Sequence, residues 1–321
     1  MAINQEGWTP YEDRGVDGRY VTDEFHSQIP LFEDLSWDYA GSDPEFVNCF
    51  ALTKKANGGK LPPFCWQTTG SCVGAGSYHA QLVAQAGDII HRGDNEEFKL
   101  PFWLYSYGIG RKGMRGRGSG SYGAVQARAT KEYGLLPMGH GDTPEPSLKS
   151  GWIKYSSSVE LEWSYSPRFP IKLSELEGES KKHQIQDVVK VKSTDDLYKL
   201  LRSGYGCTIA GRFGIRGKPK VMGDPGVLLA SWTGSWAHQM SFMAAFDHPG
   251  FGLLFWVQNQ WGPRAHGKCP FMAEFDDYAA QGGFWVEEKT AQKMISKGEC
   301  YAHSDTEGFG PRSFVWSHGL V

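Results

Sequence analysis

Residues 67–75 read Gln-Thr-Thr-Gly-Ser-Cys-Val-Gly-Ala and open the clearest helical pattern in the chain. Small and apolar residues continue at helical spacing as far as Gly93, and a glycine is typical of the end of a helix. The pattern predicts a buried helix, because small side chains allow other elements to approach its surface closely. Cys72 falls in the first turn of this helix, where the unpaired N–H groups and the helix dipole favour a thiolate over a thiol.

Two later segments supply a candidate base and a candidate orienting group for that thiol. His238 begins an apolar strand pattern in residues 235–240, and Asn259 ends another in residues 255–262. Two adjacent strands bring such residues together, so that the imidazole takes the thiol proton and the amide oxygen fixes the ring. Taken one at a time, each of these residues also has a purely structural explanation. Cys72 fits a small buried hydrophobe, His238 a histidine at the start of a strand, and Asn259 an asparagine in a turn.

Together these motifs resemble those of the papain-like cysteine peptidases: a glutamine, then Gly-Ser-Cys at the start of the central helix, then a histidine, then Asn-x-Trp-Gly. The order of Cys72, His238 and Asn259 matches, and the resemblance covers roughly residues 60–290. Residues 122–137 are similar to the family's second helix and its turn. The resemblance implies an α+β, papain-like two-lobed fold, with a cleft between a helical lobe, which holds the central helix, and a β-rich, barrel-like lobe.

The resemblance also implies a role for each residue of the triad. Cys72 is the expected nucleophile, His238 the general base and later the acid, and Asn259 the residue that orients His238. Trp261 is expected to shield the hydrogen bond between the last two from water. The implied reaction is thiol-dependent hydrolysis of a peptide or isopeptide bond through a thioester, without a metal or organic cofactor.

The oxyanion hole is where the sequence departs from the family. The resemblance implies that the Gln67 side chain and the Cys72 backbone N–H form it, with Gly70 and Ser71 supporting the nucleophile. Gln67 stands five residues before the nucleophile instead of the family's six, and position 66 is a tryptophan. Either the loop bends differently and Gln67 still reaches the oxyanion, or the hole is weakened. Thr69 stands where the family usually has a half-cystine.

Four regions are predicted along the chain. Residues 1–48 show no sustained periodicity, which predicts an extended N-terminal arm without a helical pro-region. Residues 49–139 are predicted to form the helical lobe with the nucleophile helix, and residues 140–302 the β-rich lobe with the histidine and the asparagine. Residues 140–192 of the second lobe are interpreted as the crossing between lobes plus an insertion. Residues 303–321 are predicted to be a C-terminal tail.

Composition excludes several classes of protein. The 321 residues carry a formal net charge of −3, so no global basic field favours nucleic acid or anionic lipid as a partner. The six cysteines have no C-x-x-C spacing and indicate separate thiols instead of a disulfide framework or a metal site. No membrane-spanning run and no signal-peptide pattern is evident. We expect a divergent protein of bacterial or viral type, located in the cytoplasm or within a viral or other assembly.

One further motif matches a dinucleotide-binding pattern. Residues 108–113 read Gly-Ile-Gly-Arg-Lys-Gly, but no strand pattern precedes them, and the expected structure is a Gly/Arg/Ser loop over residues 108–123. The cations of this loop indicate a solvated surface loop. Alternatively, they would give the neighbouring cleft a preference for acidic substrates. They are Arg111, Lys112, Arg115 and Arg117.

The principal hypothesis is therefore a papain-like cysteine peptidase that acts on polypeptides. One alternative is a structural or assembly protein, for example a virion-associated one, on a papain-like scaffold with weak or lost activity. Residues 1–48 would then contact an assembly partner. A second alternative is a wall-lysing Cys/His amidase, against which the Asn259-x-Trp261-Gly262 motif argues.

Overall fold

The computed structural model describes most of the chain. The described residues are 7–35, 37, 44–93, 97–112, 120–138, 156–165, 173–214, 218–232, 235–273 and 282–316. Two of the cations of the predicted Gly/Arg/Ser loop, Arg115 and Arg117, lie outside them. Among the described residues, no helix combines the length and the apolar character that a membrane crossing requires.

Helices dominate the first half of the described chain. The helices of the whole described chain are α1 (Val16–Gln28), α2 (Cys49–Ala56), α3 (Cys72–Arg92), α4 (Trp103–Lys112), α5 (Gly123–Tyr133), α6 (Ser157–Tyr165), α7 (Leu173–Ser180), α8 (Thr194–Arg202), α9 (Pro270–Ala273) and α10 (Glu288–Lys297). The helix predicted from residues 71–93 is α3. Gly93 ends α3 with a φ of 62° and donates its N–H to the carbonyl of Ile89, as a glycine after a helix commonly does.

Strands dominate the second half. The strands of the whole described chain are β1 (Phe46–Asn48), β2 (Asp187–Lys190), β3 (Gly206–Phe213), β4 (Lys220–Met222), β5 (Val227–Leu229), β6 (Trp236–His248), β7 (Gly252–Gln258), β8 (Phe284–Glu287) and β9 (Glu299–Ser304). In the described chain they form one sheet in the order β2-β9-β3-β6-β7-β8-β5-β4, and β1 pairs with β6. The pairing of β6 with β7 is antiparallel, so the start of β6 lies beside the end of β7.

The central helix α3 lies directly against β6. Gln239 Nε2 donates a hydrogen bond of 2.8 Å to the carbonyl of Val73, and the Ser241 hydroxyl donates to the carbonyl of Gly76. A Cβ at Gly76 would lie 3.0 Å from the Gln239 backbone, which is tighter than an ordinary van der Waals contact. The small residues that predicted a buried helix are thus what allows this close approach, and the α+β fold class is confirmed.

The N-terminal arm differs from the extended segment that we predicted, because it contains the helix α1. Phe25 of α1 is buried, and its ring packs edge-on to Tyr301 with 5.9 Å between centroids. His26 Nε2 and the Tyr301 hydroxyl are 2.6 Å apart. The sequence of this helix contains few apolar residues, so no helical periodicity predicts it. Contacts with a distant strand stabilise the helix instead.

The predicted Gly/Arg/Ser loop also differs, because its first part is helical. Helix α4 extends to Lys112 and includes both Gly108 and Gly110. Gly110 allows a close approach of α5, since a Cβ at this position would lie 3.0 Å from the Val125 side chain. Arg111 is buried instead of solvated, with its guanidinium 5.7 Å from the Tyr107 ring centroid.

Candidate active site

Cys72 is the first residue of α3, and its side chain is fully buried. Burial raises the pKa of the Cys72 thiol to about 12, although four backbone N–H groups near the sulfur act in the opposite direction. These N–H groups belong to Gln239, Gly7, Val73 and Cys72 itself. The thiolate that we expected at this helix end is therefore disfavoured in the covered site, because desolvation outweighs the helix N-terminus.

His238 and Asn259 meet where β6 begins and β7 ends. His238 Nε2 and Asn259 Oδ1 are 2.8 Å apart, and the N–H of Gln260 donates to the same Oδ1 at 2.7 Å. An oxygen that accepts the Gln260 N–H also accepts the proton on Nε2, which leaves the lone pair of the ring on Nδ1. Within the described residues, His238 Nδ1 has no hydrogen-bond partner. This arrangement makes Nδ1 the basic atom.

A second histidine extends this hydrogen-bond chain. His266 Nε2 accepts a hydrogen bond of 2.7 Å from Asn259 Nδ2, so both ends of the amide are held. Burial lowers the pKa of His238 to about 4, and the nearby His266 lowers it further while the Asn259 bond opposes this. Burial likewise lowers the pKa of His266 to about 4, so both rings are neutral near neutral pH. The Trp261 ring packs on His238 with 4.8 Å between centroids.

Cys72 and His238 lie on facing elements. The Gln239 N–H that approaches the Cys72 sulfur belongs to the residue that follows His238. The loop before Cys72 is also tied to the turn after Asn259, because the Gln67 N–H donates to the carbonyl of Gln260 at 2.8 Å. The structure therefore brings all the predicted triad residues and the predicted oxyanion residue into one buried region.

No protein-family model matches the chain, and no curated protein matches its sequence. Xylellain, a cysteine protease from Xylella fastidiosa, matches with a TM-score of 0.52 and 15% identity over 95% of this chain and 98% of that one. Procathepsin B S9 from Trypanosoma congolense matches with a TM-score of 0.50 and 10% identity over 94% and 86% of the two chains.

The chain has the papain-like fold. Cys72 lies at the start of the central helix α3 of this fold. Among the described residues, no cluster of three or more His, Cys, Asp or Glu side chains is arranged to hold a metal ion. All six cysteines lie in described segments and are buried free thiols, which confirms the prediction of separate thiols.

The predicted oxyanion loop, residues 67–71, is the part of the candidate site where the sequence departs from the family's pattern. Gln67 is buried, and its Nε2 donates to the carbonyl of Thr69 within the same loop. A side-chain amide carries two N–H groups, so this bond engages one of them. The backbone carbonyl of Ser71 accepts the N–H groups of Gly74 and Ala75, which anchors the first turn of α3.

Glu160 of α6 is a site residue that the sequence did not predict. Its buried carboxylate accepts the backbone N–H groups of Thr68 at 3.0 Å and of Thr69 at 3.2 Å. It also accepts the hydroxyls of Thr68 at 2.7 Å, of Thr69 at 3.3 Å and of Ser71. Residue 160 falls in the segment interpreted as a crossing and an insertion, and 92 residues separate it from Thr68. No local pattern in the sequence indicates this contact.

The N-terminal arm covers the thiol. Trp8 forms a parallel bridge with Ser121, in which the Ser121 N–H donates to the Gly7 carbonyl at 2.7 Å and the Thr9 N–H donates to the Ser121 carbonyl at 2.8 Å. Gly7 also packs on the oxyanion loop, because a Cβ at this position would lie 1.7 Å from the Gly70 carbonyl oxygen. The Gly7 N–H of the arm is therefore one of the N–H donors around the Cys72 sulfur, and the arm excludes water from that sulfur.

A buried ion pair holds the arm in this position. Arg14 Nη2 lies 2.6 Å from Glu299 Oε2, and both side chains are almost entirely buried. The Trp8 Nε1–H donates to the same carboxylate at 2.7 Å, and the Arg14 guanidinium lies 4.2 Å from the Tyr122 ring centroid. Burial alone would raise the pKa of Glu299, but Arg14 holds it below its ordinary value. The ion pair between Arg14 and Glu299 thus joins the arm to strand β9.

Proposed function

We propose that this chain is a thiol-dependent hydrolase that cleaves peptide or isopeptide bonds with Cys72, His238 and Asn259. One observation carries the proposal: the 2.8 Å hydrogen bond between His238 Nε2 and Asn259 Oδ1, on the strand whose next residue, Gln239, directs its N–H at the Cys72 sulfur. The papain-like fold supports a polypeptide as the substrate, because xylellain, which is similar in structure to this chain, is a cysteine protease.

The first half of the reaction forms a thioester. His238 Nδ1 takes the proton of the Cys72 thiol, and the sulfur attacks the carbonyl carbon of the substrate. The tetrahedral intermediate carries its negative charge on the former carbonyl oxygen, which the Cys72 N–H and the Gln67 amide stabilise. The intermediate collapses as the C–N bond breaks, and the leaving amine takes the proton from His238.

The second half releases the acid and restores the thiol. The neutral His238 ring takes a proton from a water molecule, whose oxygen attacks the thioester carbon. The C–S bond then breaks, and His238 returns its proton to the Cys72 sulfur. Asn259 holds the ring in the same orientation throughout, so that Nδ1 is the atom that receives and returns each proton.

A substrate reaches the thiol only after residues 7–9 move away. Displacement of the arm would hydrate the Cys72 sulfur and remove the burial that raises its pKa, while the N–H groups of α3 remain in place. We therefore expect the covered chain to react slowly and the uncovered chain to react fast. Gly7 offers a single-residue way to uncover the site, because an added Cβ would collide with the Gly70 carbonyl.

The test uses the full chain, its Gly7→Ala variant and its Cys72→Ala variant, with a mixed fluorogenic peptide library and with iodoacetamide. The added Cβ should raise the free energy of the covered state by about 1–3 kcal/mol through overpacking. The uncovered state is then more populated, so Gly7→Ala is expected to react roughly 5- to 150-fold faster in both assays. Cys72→Ala should lose turnover by a factor of at least about 10⁴. Gly15→Ala is the matched control in the same arm, because no atom lies within 4 Å of a Cβ added there.

Two results would contradict the proposal, and a third would contradict only the covering role of the arm. The first is a folded Gly7→Ala chain that cleaves nothing in the library. The second is turnover that survives Cys72→Ala. The third is equal alkylation of the wild-type and Gly7→Ala chains, which would remove the covering role of the arm while leaving the hydrolase itself standing.

An assembly partner for residues 1–48 and a location in the cytoplasm or in a virion stay predictions. The described part of that segment contacts its own chain through Trp8, Arg14 and Phe25. No observation favours the wall-lysing amidase.

A further inference from the structure

The oxyanion loop takes its shape from one carboxylate. Of its five residues, Thr68, Thr69 and Ser71 donate hydrogen bonds to Glu160, through two backbone N–H groups and three hydroxyls. Helix α6 adds a second contact to this loop, because the Thr69 and Ser164 hydroxyl oxygens are 2.8 Å apart. The loop is therefore docked on α6, and α6 is itself held by the packing of Trp163 edge-on to Phe102 at 5.6 Å.

A carboxylate suits this position for a physical reason. The Thr68 and Thr69 N–H groups lie in the loop before α3, outside any helix or strand, and a buried backbone N–H group needs an acceptor. An ionised carboxylate accepts several donors at once and forms stronger hydrogen bonds than a neutral acceptor does. A buried charge is tolerated when its hydrogen-bonding capacity is filled, which the Thr68, Thr69 and Ser71 donors achieve for Glu160.

The same contacts reach both candidate oxyanion donors. Gln67 Nε2 donates to the carbonyl of Thr69, so a shift of Thr69 displaces the Gln67 amide. Ser71 immediately precedes Cys72, so a shift of Ser71 displaces the Cys72 N–H. Thr69 stands where the papain-like family usually has a half-cystine, and in this chain of free thiols the loop is held by hydrogen bonds to Glu160 instead.

We propose that Glu160 is a positioning residue of the active site, which sets the geometry of the oxyanion hole through the loop of residues 67–71. This inference rests on the proposed function. It separates two properties of the site: the reactivity of the sulfur, which depends on His238 and on hydration, and the stabilisation of the oxyanion, which depends on loop shape. Alkylation by iodoacetamide requires only the first property, whereas hydrolysis of an amide requires both.

The test compares Glu160→Ala, Glu160→Gln and a control, Glu162→Ala, in whichever of the wild-type and Gly7→Ala chains turns over. Glu162 lies on the same helix and is exposed, so its replacement removes the same charge without touching the loop. Three quantities are measured: kcat, KM and the second-order rate of alkylation of Cys72. Circular dichroism and thermal melting establish that each variant is folded.

We expect Glu160→Ala to lower kcat by about 10²- to 10³-fold, the usual effect of losing one oxyanion donor, with a smaller change in KM. Alkylation should fall by less than about tenfold. Glu160→Gln should recover most of kcat, because its amide oxygen can keep the Thr68 and Thr69 N–H groups while its NH₂ group faces the Thr68 hydroxyl, which can accept. Glu162→Ala should leave all three quantities unchanged.

Several results would overturn the inference. An unchanged kcat in Glu160→Ala would by itself overturn the inference. Equal losses of kcat and of the alkylation rate would also overturn it, because they indicate a purely structural role. Where Glu160→Ala does not fold, Thr69→Val serves instead, and an unchanged ratio of kcat to alkylation rate in Thr69→Val would count against the proposal. Absence of turnover in both the wild-type and Gly7→Ala chains would defeat the proposed function and this inference with it.

Discussion

The loop of residues 67–71 and the turn of residues 259–266 face each other across the site, and they are held in different ways. The loop depends on Glu160, which 92 residues separate from Thr68. The turn depends largely on itself, since Asn259 bonds to Gln260 and to His266, seven residues away. One wall is therefore shaped by a distant charge and the other by near neighbours. The two walls should respond differently to the same kind of mutation.

Asn259→Ala should have the largest effect on the turn. It leaves the buried His238 Nε2, the Gln260 N–H and the His266 Nε2 without the partner that they have in the folded chain. We expect the free energy of unfolding to fall by about 2–4 kcal/mol and kcat to fall by roughly 10²- to 10⁴-fold. Urea denaturation and steady-state kinetics measure both. A variant with wild-type stability would show that the turn is not held by this side chain.

Gln67→Ala should separate activity from stability in the loop. The buried Gln67 side chain donates to the carbonyl of Thr69, so its loss is expected to lower the free energy of unfolding by about 1–3 kcal/mol, which leaves the chain folded. The loss of an oxyanion donor should lower kcat by about 10²- to 10³-fold. Gln28→Ala, at the exposed end of α1, makes the same chemical change elsewhere. If kcat stays at the wild-type value, the shifted Gln67 is not an oxyanion donor.

Acid should weaken the turn. Burial lowers the pKa of His238 and of His266 to about 4 in the folded chain, below the ordinary value of 6.5. Between these values the unfolded chain binds more protons than the folded chain, so stability is lost as the pH falls from 6.5 toward about 4. His266→Phe removes one of the two groups and should make the melting temperature depend less on pH over this range.

His91→Phe is the control for the acid experiment. It makes the same chemical change at an exposed residue outside the turn of residues 259–266. His266→Phe also removes the acceptor of the Asn259 amide, so the variant is expected to be less stable than the wild type at neutral pH. Identical pH dependence in His266→Phe and wild type would show that His266 contributes nothing to the acid sensitivity.

The comparison of the two walls also shows which parts of the site the sequence could predict. The start of α3 at Cys72 and its end at Gly93 follow from spacing and end residues within one segment. Strand β6, which carries His238, and strand β7, which ends just before Asn259, follow from short apolar runs in the same way. His266 lies only seven residues from Asn259, yet nothing in the sequence indicates that its ring accepts the amide, because this contact depends on the path of the turn.

The sequence by itself determined the central helix, the strands of the histidine and the asparagine, and the order of the three site residues. Local periodicity and helix ends encode these features within a few residues. Only the tertiary structure decided that Glu160 shapes the oxyanion loop, that Gly7 lies on Cys72 and that the covered thiol is neutral. Hydrogen bonds between distant segments and the exclusion of water both arise from the packing of the whole chain, so no short stretch of sequence can encode them.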